Sequence, residues 1–128
     1  MAPKTIKIVM ADDEANILNI AGGMLRDFGY EVITACDGQE AFEKALVEKP
    51  DLIILDRNMP RMDGIEACRK IRDTSDLKGI PVIFLTAREE EKEIFEGLRE
   101  GANDYITKPF NLTELKERIE KILKKTCS

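Results

Sequence analysis

The run Leu52-Ile53-Ile54-Leu55 is apolar at every position, which is how a strand reads when both of its faces are covered. Around it, short apolar runs alternate with longer stretches of helical spacing. Thr5 to Met10 reads as a first strand. Ile17, Leu18, Ala21, Met24, Leu25 and Phe28 share one face of a first helix, which Gly29 stops. Glu31 to Ala35 is a second strand. Asp37 can cap a second helix that runs until Pro50 nears, with Ala41, Phe42, Ala45 and Leu46 on one face.

Beyond the quartet, the turn-rich segment Arg57 to Gly64 leads into a helix from about Ile65 to Arg72. Pro81 to Leu85 is a fourth strand, a charged helix runs from about Glu89 to Glu100, and Tyr105 to Thr107 is a short fifth strand. Asn111 and Glu114 have the spacing of a capping box for a last helix, whose buried stripe is Leu112, Leu115, Ile119, Ile122 and Leu123. Five strands alternating with five helices through short loops predict an α/β fold. The expected architecture is a (βα)5 three-layer sandwich on a five-stranded parallel sheet, one domain over residues 1–128.

Composition narrows the chemistry. The chain has no histidine, which excludes Ser-His-Asp catalysis and every His-bearing metal site. Asp and Glu number 25 against 20 Lys and Arg, which argues against a broad basic surface for nucleic acid. Cys36, Cys68 and Cys127 are odd in number, lie far apart and contain no CxxC pair, so reduced thiols in a cytoplasmic protein are expected. No apolar run approaches the roughly 20 residues of a membrane span, and no signal-type segment follows Lys4. Carboxylates, hydroxyls, lysine and thiols remain.

Several of those groups fall at the C-terminal ends of the expected strands. Asp12 and Asp13 follow the first, Asp56 ends the third, Thr86 the fourth and Lys108 the fifth. That edge is where ligands bind in open α/β sheets. If the first and third strands are neighbours, three carboxylates meet there. Like charges about 4 Å apart repel by roughly 4 kcal/mol at an effective dielectric of 20. Raised pKa values or a bound cation can offset that repulsion. A cation, a lysine and a hydroxyl around one carboxylate are what phosphoryl transfer to that carboxylate requires.

These residues stand in recognisable motifs: Met10-Ala11-Asp12-Asp13-Glu14, Leu55-Asp56-Arg57-Asn58-Met59-Pro60-Arg61-Met62-Asp63-Gly64, Leu85-Thr86-Ala87 and Tyr105-Ile106-Thr107-Lys108-Pro109-Phe110. In order and spacing they resemble response-regulator receiver domains of two-component signalling, over essentially the whole chain. The resemblance implies the flavodoxin-like and CheY-like strand order 2-1-3-4-5. It implies that Asp56 accepts a phosphoryl group from a histidine kinase or histidine phosphotransfer protein, in a Mg²⁺-dependent reaction that Mn²⁺ can also support. Asp13 and Asp56 would ligate the metal directly, Asp12 through water, and Asn58 through its backbone carbonyl. Thr86 and Lys108 would contact the phosphoryl group, the Lys108-Pro109 bond would be cis, and Tyr105 would move inward with Thr86 as a switch. Such a domain catalyses only its own phosphorylation and dephosphorylation.

The output implied is a conformational change on the face of helix four, strand five and helix five. That face would serve a downstream protein, a fused output domain or a phosphorylation-dependent homodimer, with no direct contact to nucleic acid or membrane. Asp104 and Arg118 fit one ion pair of that dimer face. Arg99 and Glu120 are swapped in charge relative to the family, and Ile94 replaces a common basic residue. Gly22 and Gly23 sit in the first helix, a docking surface for phosphodonors in this family, where small residues would allow close approach. Arg88 and Asn58 flank the site and would bear on the lifetime of the phosphorylated state.

Three rivals are weighed against this reading. A haloacid-dehalogenase-type phosphatase needs Asp-x-Asp at its nucleophile and its acidic pair last, whereas here Asp56-Arg57-Asn58 follows the pair. A flavodoxin-like flavin binder would meet repulsion between its phosphate and Asp12-Asp13-Glu14. A receiver-like module working by surface contact alone would lack at least one of the five site residues, and all are present.

Overall fold

The computed structural model describes residues 5–87 and 101–126. Five parallel strands form one sheet: β1 (Lys7–Ala11), β2 (Glu31–Ala35), β3 (Leu52–Asp56), β4 (Val82–Ala87) and β5 (Asp104–Lys108). Their order is β2-β1-β3-β4-β5, as the family resemblance implied. Three helices connect the first four strands: α1 (Ala15–Asp27), α2 (Gly38–Glu48) and α3 (Gly64–Asp73); the last helix (Leu112–Thr126) follows β5. The helix expected over 89–100, with Arg88, Ile94 and Arg99, and also Cys127, lies outside the described residues.

The apolar quartet explains the layering. Leu52 and Ile54 of β3 pack with Ile8 and Met10 of β1, Ile83 and Leu85 of β4, α1 and the last helix. Ile53 and Leu55 point the other way, into a cluster with Val9, Ala11, Val82, Phe84, α2 and α3. Period-two alternation thus gives one strand two apolar faces, each roofed by a pair of helices. The chain leaves β1 in one direction along the sheet to reach β2, then reverses to reach β3. Crossovers of one hand place helices on opposite faces when that direction reverses, which separates α1 from α2 and α3.

Local chemistry sets the helix starts. Asp37 accepts from the Glu40 N–H at 2.8 Å, and Asp63 accepts from the Glu66 N–H at 2.9 Å, capping α2 and α3. Asn111 accepts from the Glu114 N–H at 2.7 Å at the start of the last helix. Gly29, at φ +96, takes the left-handed turn that ends α1. The other end of the sheet is gathered by one side chain. The Arg72 guanidinium donates to the Gly101, Lys78 and Ile80 carbonyls and to Asn103 Oδ1, and that same oxygen accepts from the Val82 N–H.

Three expectations need correction. Phe28 is not in the buried stripe of α1: it is 47% exposed, because it falls at the C-cap, and the Lys116 ammonium lies 4.1 Å from its ring centre. Leu46 is exposed on α2, while Ala41 and Ala45 face the sheet. Gly22 is buried toward Val32 rather than on the outer surface of α1, so it offers no close approach to an outside partner. Strand boundaries also move by one or two residues, which makes Asp56 and Lys108 the last residues of their strands and Thr86 the last but one.

Ile54 is fully buried between sheet and helices, whereas Val47 is 80% exposed on α2. Ile54→Ala is expected to cost about 2–5 kcal/mol in urea denaturation, and Val47→Ala less than about 0.5 kcal/mol. Equal losses would contradict the two-sided burial of β3.

Candidate functional site

The switch in strand order lies between β1 and β3, whose register pairs Ala11 with Leu55. The next residue on each chain is a carboxylate, Asp12 on one side and Asp56 on the other. Asp12 and Asp56 are buried and Asp13 is exposed, and one oxygen from each lies within 4.8 Å of the others. Each such pair of charges repels by about 3–4 kcal/mol at an effective dielectric of 20.

Lys108, at the end of β5, projects back across β4 into this cluster. Its ammonium lies 2.9 Å from Asp12 Oδ2, 3.3 Å from Asp56 Oδ2 and 3.5 Å from Glu14 Oε1. Burial pushes this ammonium toward neutrality, but the contacts with Asp12 and Asp56 outweigh it and raise its pKa above the ordinary lysine value. One lysine therefore faces three carboxylates. Asp56 Oδ1 accepts from the Asn58 N–H at 3.2 Å, and Asp12 Oδ1 from the Glu14 N–H at 2.9 Å. Asp12 Oδ2 is fully buried, and its contact with Lys108 is a charge pair: no donor among the described residues meets it at a hydrogen-bonding angle.

The balance leaves Asp56 hard to ionise. Burial raises its carboxyl, the Asp12 charge adds to that, and Lys108 and the Asn58 N–H pull it back, so that its pKa stands at about 7. A cleft of about 270 Å³ opens over it, lined by Asp13, Glu14, Asp56, Asn58 and Lys108. Carboxylates and a nearby backbone carbonyl are hard oxygen donors of the kind Mg²⁺ takes. With the unsatisfied Asp12 oxygen, the residues fit a divalent cation.

Thr86 is buried near the end of β4, one residue beyond Leu85, which pairs with Asp56. Tyr105 is half-buried on β5 and packs against the cluster under α2 and α3. The Lys108-Pro109 bond is cis. Arg118 donates to Asp104 at 2.8 Å within the chain, so this pair, expected at a dimer face, is already closed inside one molecule. Sequence reasoning gave Glu14 no role, although it touches Lys108 across 94 residues of chain. The ion pair between Arg61 and Asp37 was also missed. Neither contact leaves a local periodicity to read.

The folded-state pKa of Asp56 lies above its ordinary 3.8, so the native protein keeps a proton that the unfolded chain releases. The resulting stabilisation is complete below about pH 4 and is lost as pH rises through about 7. In metal-free buffer, unfolding free energy from urea titrations should therefore fall between about pH 4 and about pH 7 and level off above it. Asp56→Asn should flatten this decline and be the more stable protein at the upper end. A variant that kept the full decline would assign it to other groups.

Comparison with known proteins bears on the family and the fold. Residues 8–120 match the response regulator receiver domain family. The alkaline phosphatase synthesis transcriptional regulatory protein PhoP of Bacillus subtilis is 45% identical, over 94% of this chain and 49% of its own length. A probable transcriptional regulator, ycf27, of Cyanophora paradoxa is 43% identical over the same shares. The chain thus spans about half the length of the curated relatives it matches. Among solved structures, the chemotaxis response regulator CheY4 of Vibrio cholerae superposes with a TM-score of 0.88 at 36% identity, covering 93% of this chain and 99% of that one. The receiver domain of sensor histidine kinase PA1611 from Pseudomonas aeruginosa, solved with magnesium in its active-site cleft, gives 0.86 at 31% identity, covering 94% and 98%. The chain belongs to the response-regulator receiver domain family of two-component systems.

Proposed function

We propose that this receiver takes a phosphoryl group from a phosphohistidine, on a histidine kinase or histidine phosphotransfer protein, onto Asp56 in a Mg²⁺-dependent reaction. The convergence of Asp12, Asp13 and Asp56 within 4.8 Å, with Lys108 against two of them, carries this reading. An Asp56 oxygen attacks phosphorus in line while the bond from phosphorus to the donor nitrogen breaks. The donor ring, protonated on its other nitrogen, departs as neutral imidazole, leaving an acyl phosphate on Asp56. Asp12, Asp13, Asp56 and the Asn58 carbonyl would hold Mg²⁺, or Mn²⁺ in its place; bound there, it supplies positive charge against the phosphoryl oxygens. Lys108 pairs with one of those oxygens as its hold on Asp56 is exchanged, and the Thr86 hydroxyl donates to another. Hydrolysis later restores the carboxylate, so the domain turns over no substrate but its own phosphoryl group.

The signal follows from the same residues. β4 and β5 are paired with Phe84 opposite Tyr105 and Thr86 opposite Thr107. A Thr86 drawn toward the phosphoryl group vacates space beside Tyr105, and the phosphoryl contacts favour the arrangement in which that ring moves inward. The altered face comprises β5 and the last helix; the helix expected over 89–100 lies outside the described residues. It would serve a fused output domain, a downstream protein or a second phosphorylated copy, in the cytoplasm and without nucleic acid contact of its own. An apolar groove of about 670 Å³, with Ile17, Ile20 and Phe110 among its lining residues, adjoins Lys108 and suits the docking of the phosphodonor protein. No helix among the described residues is long and apolar enough to cross a membrane.

With Mg²⁺ and a small acyl phosphate donor, the protein should gain one phosphoryl mass, lose it to hydroxylamine, and gain nothing as Asp56→Ala. Labelling that persisted in that variant would move the acceptor elsewhere. Lys108→Ala should leave Mg²⁺ affinity, measured by calorimetry, largely intact. Its phosphorylation rate should drop by about 100-fold, as when one transition-state donor is removed. A collapse of metal binding instead would overturn this division of roles.

A further inference from the structure

The loop from Arg57 to Asp63 carries the Asn58 carbonyl, and one of its residues holds an unfavourable backbone conformation. Arg61 lies at φ +64, in the left-handed region that favours glycine. Its side chain is 73% exposed, yet its guanidinium reaches Asp37 Oδ2, whose side chain is 2% exposed. The other oxygen of Asp37 accepts from the Glu40 N–H and caps α2. Both carboxylate oxygens are therefore committed, one to the helix and one to a loop 24 residues further along the chain.

The surroundings turn this pair into a fixed joint. The Gly38 N–H donates to the Met62 carbonyl at 2.9 Å, and a Cβ at Gly38 would overlap that carbonyl, so α2 and the loop meet backbone to backbone. On the far side Asp63 caps α3, and the Gly64 N–H donates to the Arg57 carbonyl at 3.1 Å. At the near side the Asn58 N–H is held by Asp56 and Met59 is buried. Arg61 stands between these anchorages. A glycine there would relieve the backbone, so the arginine stands against local preference. What it supplies is a cation for the buried Asp37 charge, which has no other cation at that oxygen among the described residues.

We infer that Arg61 and Asp37 form a clamp that fixes the loop bearing the Asn58 carbonyl, making both of them positioning residues for the site around Asp56. The metal part of this inference rests on the proposed function above; the loop part does not. The full chain should be compared with Arg61→Gly, Arg61→Lys and Asp37→Asn, the last of which keeps a good cap for α2. In metal-free protein, Arg61→Gly should speed hydrogen exchange at the Met62 and Gly64 amides, while the urea midpoint scarcely moves because relieved strain offsets the lost pair. Mg²⁺ affinity by calorimetry should weaken by about 10-fold, the loss typical when the support of a metal ligand is removed. Arg61→Lys should recover most of both effects. Asp37→Asn should reproduce the glycine variant, and combining the two should add little. Unchanged exchange in Arg61→Gly overturns the clamp. Faster exchange with unchanged Mg²⁺ affinity overturns its bearing on the metal. A wild-type protein that bound no Mg²⁺ would defeat the metal reading and leave exchange alone to decide the clamp.

Discussion

Repulsion among buried carboxylates is the constraint around which this molecule is organised. Asp12 and Asp56 are taken out of water beside one another, with Asp13 close by, and a single lysine spans the two buried ones. Among the described residues the cluster is under-neutralised: Asp56 keeps its proton to about neutral pH rather than giving it up as an ordinary carboxyl would. A site in this condition gains from any positive charge that enters it. The energy that would be liberated on filling the cleft is already present in the folded chain as unfavourable electrostatics.

Such a cluster survives because the rest of the fold is strong where the site is weak. β1 and β3 are interior strands of the sheet and expose almost nothing, so their ends are rigidly placed. Each contributes an acidic residue at the point where the chain reverses direction along the sheet. The apolar residues immediately before them, Met10-Ala11 and Ile54-Leu55, divide between the two helical layers. Burial on two faces supplies the stability against which the like charges are held.

Much of this was legible in the residues. The uninterrupted quartet Leu52 to Leu55 could only be a doubly covered strand, and the polar residues fell after apolar runs where strand ends were due. Asp37 and Asn111 were readable as caps because capping is local. What escaped detection depends on distance in sequence or on position within a helix. Glu14 meets Lys108 only after the sheet has formed, and Arg61 meets Asp37 only once the β3 loop lies on α2. Phe28 has the right spacing for the buried face of α1, but the helix ends there and its ring turns outward beneath Lys116. Periodicity predicts direction along an element; it carries no information about where the element stops.

The Arg72 guanidinium fastens one end of the sheet edge formed by β4 and β5. It gathers the start of β4 and the start of β5 through Ile80, Gly101 and Asn103, while Thr86 and Lys108 stand at the opposite ends of those strands. From Val82 to Thr86 the span is about 13 Å at ordinary strand rise. Moored at the base by this network, the two strands are held at the other end by different contacts: the Arg57 N–H donates to the Leu85 carbonyl, and the Lys108 ammonium pairs with Asp12 and Asp56. One end of this sheet edge is thus fastened by neutral carbonyls around a guanidinium and the other by a charge pair, so a change of charge among the carboxylates is felt at the second end and not at the first.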